Sequence, residues 1–301
     1  MPVNASSAWT KKANFEGQAR HRTTAFSVGS KGYLGLGHYN SGDEGNVVKE
    51  DFWEYDPASD SWTQIADFGG GQRYHAMDFV KNGKAYVFGG RIEDAIFMDD
   101  LWEYDPISNA WTSKAPLTGG ARIGAMSWTY GEYGVIAMGQ LQDFSVGTDI
   151  YAYHFETDTW YIAPDFAGPP RISGIAFVLN DIPYIATGYG YIGSMNDCWK
   201  MDTATWTWSE CAGTVGPQIR AQSHGFTIQG KGYIVSGNDW ETTENFPDVW
   251  RFDPDTETWD QIGDFPGLAR RYLDGFEIND QAYMGAGTNG TNLKDFWEFD
   301  P

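Results

Sequence analysis

One string recurs along this 301-residue chain at nearly constant spacing and limits the folds open to it. It reads DFWEYDPASDSW at 51–62, DLWEYDPISNAW at 100–111 and DVWRFDPDTETW at 248–259, and it ends unfinished as DFWEFDP at 295–301. The closing tryptophans, Trp9, Trp62, Trp111, Trp160, Trp208 and Trp259, stand 53, 49, 49, 48 and 51 residues apart. Self-similarity at a period near 50 marks an array of identical supersecondary units.

The other landmarks keep the same frame. An arginine follows each tryptophan by eleven or twelve residues: Arg20, Arg73, Arg122, Arg171, Arg220 and Arg270. Six residues on comes an aromatic, and eleven further a glycine: Gly37, Gly90, Gly139, Gly188, Gly237 and Gly287. An aspartate then opens the next run: Asp51, Asp100, Asp149, Asp197, Asp248 and Asp295. Between landmarks, short stretches such as KAYVFGG and SWTQI alternate with period two and are divided by Gly, Asn and Asp-Pro turns. That pattern predicts four short antiparallel strands per unit, a to d, and six units predict a six-bladed, all-β propeller in a single domain. The broken final repeat is completed at the other end of the chain. Trp9 lies where the missing strand d of the last blade belongs, so the N-terminal strand is expected to close the ring and remove its open sheet edges.

The run RYHAMDFVKNGKAYVFGGRIEDAIFMDDLWEYDPISNAW, 73–111, resembles the kelch repeat, and the likeness extends over essentially the whole chain. It departs from that pattern in the glycine pair, complete only at Gly89–Gly90. The resemblance implies a recognition module and makes it plausible that arginines near the channel hold a carboxylate, sulfate or phosphate. It also brings in enzymes. Sialate mutarotases are six-bladed kelch proteins, but carry long insertions absent here. Copper-radical oxidases on a related propeller need a histidine pair and a tyrosine–cysteine crosslink.

Strand alternation puts the arginines, glycines and aspartates on one face with the d–a and b–c connections. The glycine-to-aspartate distance runs 14, 10, 10, 9, 11 and 8 residues while the other intervals barely change, so length variation concentrates in the b–c loops. Variable loops on a fixed scaffold are where binding usually resides. They offer Tyr39, Arg91, Phe97, Phe144, Tyr189, Tyr191, Trp240 and Phe246 as solvent-facing ligand candidates, with Arg271 added from the d–a connection. The arginine ring reads either as an anion site at the channel mouth or as architecture. Because arginine and aspartate recur six for six, structural pairing is the stronger reading.

The five histidines fall at different repeat positions and show no metal-ligand spacing, so neither a metal nor a cofactor is expected. The acidic runs SGDEGN and IEDAIFMDD match no calcium loop and read as solvated surface. A formal charge of -21 argues against nucleic acid and anionic membranes, and no apolar run is long enough for a spanning helix. The expected function is non-catalytic binding of a protein or carbohydrate partner on the b–c loop face by a monomeric propeller, alone or within a larger protein. The alternative is a sugar mutarotase or lyase working with arginine and histidine at the channel mouth.

The two cysteines, Cys198 and Cys211, share the hairpin NDCWKMDTATWTWSEC. By the parent hairpin, Met201 faces Trp208, and the same register makes Cys198 face Cys211, close enough for a disulfide. That favours an extracellular or cell-surface location over a cytoplasmic one. The N-terminus lacks the pattern of a signal peptide, and the sequons at Asn4 and Asn289 do not discriminate.

Overall fold

The computed structural model describes residues 8–41 and 45–301; Asn4 and part of the SGDEGN run lie outside them. Six four-stranded antiparallel sheets carry the chain around a central channel. In the first, strands a to d are Thr24–Val28, Lys31–Gly35, Phe52–Asp56 and Ser61–Gln64. The sixth is built from Asp274–Ile278, Gln281–Gly285, Phe296–Phe299 and the N-terminal strand Trp9–Lys12. Trp9 lies opposite Phe299 and Lys12 opposite Phe296, so the predicted closure is present. Among the described residues, no helix is long and apolar enough to cross a membrane.

The core lies between blades. Trp62, at the outer strand of blade 1, meets Phe15 at 5.2 Å and Phe296 of blade 6 at 5.0 Å. The indole N–H groups of Trp62, Trp111 and Trp160 donate to the carbonyls of Ala13, Ala66 and Ala115, each on the connection leaving the preceding blade. A second tie parallels the first. The turn residues Asp60, Asn109 and Asp158 accept the amide N–H of those same alanines at 2.8–3.0 Å, and also the hydroxyls of Tyr55, Tyr104 and Tyr153. The motif that repeats in the sequence is thus the joint between blades.

The glycine ring has an equally local cause. Gly37 and Gly90 sit at φ of 82° and 85°, and a Cβ would come within 2.7 Å of the His21 carbonyl oxygen or 2.9 Å of backbone in blade 2. The preceding residue is also left-handed in every blade, at Leu36, Gly89, Met138, Thr187, Ser236 and Ala286, with φ of 53–64°. Five of the six blades carry a side chain there at the lower φ, and the glycine pair shrinks to one.

Candidate functional site

The arginine ring is buried. Each of the six has no exposed surface. Each contacts its aspartate at 2.5–2.8 Å and donates to the carbonyl sixteen residues later, at 2.8–3.3 Å. Burial would raise the Asp51 and Asp295 carboxyls, but the bidentate Arg20 and Arg270 hold them below the usual range. The guanidinium groups are each buried against an aspartate and a carbonyl of the fold and do not line the channel.

What lines the mouth is the residue two places after each arginine: Arg22, His75, Gly124, Ser173, Gln222 and Tyr272. All six are left-handed, with φ of 52–59°. Their backbones are stitched into an arc around the axis: Ser173 N–H donates to Gly124, Gln222 to Ser173, Tyr272 to Gln222 and His75 to Arg22. A non-glycine residue in this conformation costs some stability, and such strain gathers at ligand sites. Because the backbone is fixed, the side chains are free to differ, and they do.

On the side formed by blades 6, 1 and 2 a basic cluster results. The Arg22 guanidinium contacts His38 Nε2 at 2.7 Å, donates to the Tyr272 hydroxyl at 3.0 Å and lies 4.5 Å from the Tyr272 ring centre. The His21 and His38 rings are 4.2 Å apart, and His38 stacks on Tyr74 at 4.3 Å. Arg91 covers Tyr74 at 5.0 Å. Arg271, His21, Arg22, Asn40 and Asn292 wall a cavity of about 170 Å³ beside the mouth. Burial first, then neighbouring charge, holds His21 at a pKa of about 3; burial, with Arg22 and Arg91 beside it, holds His38 at about 4. Buried His75 is likewise pushed well below its ordinary value. At neutral pH these rings are uncharged and the arginines carry the positive charge alone.

The opposite side, from blades 3 to 5, is aromatic. Tyr189 stacks on Trp240 at 5.1 Å, and Trp240 is 39% exposed. Tyr191 and Phe144 stand out at 73% and 60%, and the Tyr191 hydroxyl accepts the Val146 N–H from the neighbouring blade. Tyr39 is half-buried on the short ribbon of blade 1, opposite Val47.

Two expected ligand contacts do not face solvent. Phe97 and Phe246 are only 4% and 5% exposed because the b–c loops fold back toward the scaffold. Phe246 lies under the Arg220 guanidinium at 4.9 Å, and Phe97 packs beside Arg91 at 5.8 Å. Arg22, Tyr74 and Tyr272 went unnoticed in the sequence. Their signal was a position that varies inside an otherwise fixed frame. The histidines also come closer than their spacing suggested, since His21 and His38 face each other across one blade.

A sequence profile described as the KLHDC2/KLHL20/DRC7 Kelch-repeats domain matches residues 129–301, and the Kelch motif matches residues 79–118. None of the curated proteins compared matches the chain. The solved structure of YjhT is similar at 16% identity, covering 96% of each chain with a TM-score of 0.79, which speaks to the fold alone. With more than half its length matched by that profile and all six blades on the same frame, the chain belongs to the kelch-repeat family of β-propellers.

Proposed function

We propose that this propeller is a non-catalytic recognition module that holds a protein partner on the b–c loop face, with an anionic group of the partner at Arg22, Arg91 and Arg271. A kelch propeller suggests a protein-interaction module in general, and one observation supports this narrower reading. The other seven of the ten arginines each lie within 4 Å of an aspartate, whereas these three have no carboxylate partner among the described residues. In a chain of net charge -21 they gather at one mouth, and the Nε atoms of Arg22 and Arg91 are buried without an acceptor. Forked donors lacking an internal carboxylate suit an external one. The Tyr189–Trp240 stack and exposed Tyr191 and Phe144 supply flat contact area opposite, as hot spots of interfaces do.

A panel of peptides and acidic glycans, titrated by fluorescence polarisation, tests this reading. An acidic peptide should bind saturably and weaken with salt. Arg271→Ala and Trp240→Ala should each lower its affinity, roughly 10- to 100-fold for the arginine, with melting temperature unchanged. Unchanged affinity in both variants would refute the reading. Turnover of a sugar acid without peptide binding would favour the mutarotase or lyase alternative, with the uncharged His21 and His38 beside Arg22 as its proton-transfer groups.

A further inference from the structure

Directly inside the mouth, opposite charges share a cavity without touching. Arg22 and Asp274 both wall the same space of about 140 Å³, with Ser173, Gln222 and Ser223 between them. Arg22 has no carboxylate within 4 Å among the described residues, and the only charged neighbour of Asp274 at that distance is His224, at 3.9 Å. Burial holds His224 at a pKa of about 4, so it brings no charge at neutral pH. Asp274 is instead fixed by the Thr23 hydroxyl at 2.8 Å and the Gly275 N–H at 3.0 Å. Gln222 is 3% exposed, and both ends of its side-chain amide lack a hydrogen-bond partner.

The channel continues beneath into a larger space of about 530 Å³, which shares Asp274 and adds Asp78 and Glu277. Neither a lysine nor an arginine lines it. Apart from Arg22 at the rim, the groups facing Asp274 are Thr23, His224, Asp78 and Glu277, and none of these is a cation at neutral pH. Burial raises Asp274 and Glu277 to about 7 and pushes Asp78 well above the carboxylate range, with Asp274 and Glu277 adding repulsion at Asp78. Unpaired charge in a confined site is costly, and a bound counter-charge relieves that cost. The channel thus presents a positive rim over a shaft of carboxyl groups that are only partly ionised at neutral pH, with room for an organic group.

We propose that the channel mouth takes a small zwitterion, its carboxylate on Arg22 and its ammonium pointing inward to Asp274 and the carboxylates below. This rests on the anion-binding role given to Arg22 above and extends it to a ligand class. It also gives the polar side chains of the ring a use: Ser173, Ser223 and Gln222 supply neutral hydrogen-bonding groups between the two charges.

Calorimetric titration of the intact protein with 4-aminobutyrate and 6-aminohexanoate tests it, with butyrate, hexanoate, butylamine and hexylamine as single-charge controls. At least one zwitterion should bind ten-fold or more tighter than both of its controls. Asp274→Asn should remove that advantage while leaving the affinity for the carboxylate control unchanged. A second readout needs only the wild-type protein. An ammonium arriving beside half-protonated carboxylates expels protons, so at pH 7 the binding enthalpy should vary with the ionisation enthalpy of the buffer for the zwitterion and not for the carboxylate control. Binding of hexanoate with no gain from the added amine overturns this inference and leaves the arginine reading standing. Binding of the amines with no gain from the carboxylate overturns both. The absence of binding by any zwitterion at millimolar concentration also overturns the inference.

Discussion

Arg122 shows how much of this fold rests on single buried charges. It has no exposed surface, contacts Asp149 at 2.8 Å, and gives three more bonds to the carbonyls of Gly119, Gly120 and Met138. Arg122→Ala would strand the aspartate and all three carbonyls. It should cost about 3–5 kcal/mol in denaturant unfolding, while peptide affinity changes little in the fraction that remains folded. Loss of affinity at full stability would put the ring back among the ligand contacts. The paired role of these arginines was legible because six identical positions describe scaffold. Arg22 was not, because nothing in one sequence says that two residues past the arginine the chain turns left-handed into the channel. Phe97 and Phe246 were misjudged for a similar reason. An aromatic in a variable loop looks exposed until the cation beneath it is known.

At the scale of elements, blade 4 lacks the joint that blades 1 to 3 share. Pro164 stands where Ala13, Ala66 and Ala115 offer an N–H, and Met201 and Trp206 replace the tyrosine and the acidic or amide turn residue. The same c–d hairpin carries both cysteines. Its register pairs Met201 with Trp208, as the repeat predicted, and the Cys211 N–H donates to the Cys198 carbonyl at 2.7 Å. The sulfur atoms lie 2.7 Å apart and buried. We expect a disulfide here in an oxidising compartment, supplying a covalent tie in a hairpin that lacks both the tyrosine and the turn acceptor. Mass measurement after alkylation without reductant checks this on protein from its native source; two labels would mean free thiols and would remove the argument for secretion. The pairing was legible because strands have period two. The missing joint was not, since a joint is a contact between blades some 45 residues apart.

For the whole molecule, the decisive contact is the pairing of Trp9–Lys12 with Phe296–Phe299. Trp9 also packs on Phe265 at 5.2 Å and Phe299 at 4.7 Å. Deleting residues 1–12 should therefore lower the melting temperature by roughly 5–10 °C and promote self-association through the bared edge of blade 6. An unchanged melting curve for a monomeric truncation would refute the closure. The ring itself was legible end to end, because a fixed period admits only one arrangement of neighbours. The asymmetry of its mouth, basic on one side and aromatic on the other, emerges only when six loops are set in a circle.

That closure also imposes an order in time. The two strands of the final blade that must meet are about 290 residues apart. At a ribosomal pace of ~5–20 residues per second, the first strand made waits roughly 15–60 s for its partner. Until then the nascent chain carries an unmatched strand at each end, and the five inner blades can be complete while the circle stays open. Lys11 and Lys12 sit on the waiting strand, where charge discourages wrong pairings with another chain. Lys12 then meets Glu298 at 3.2 Å, so the residue that guards the strand during synthesis forms an ion pair in the finished ring.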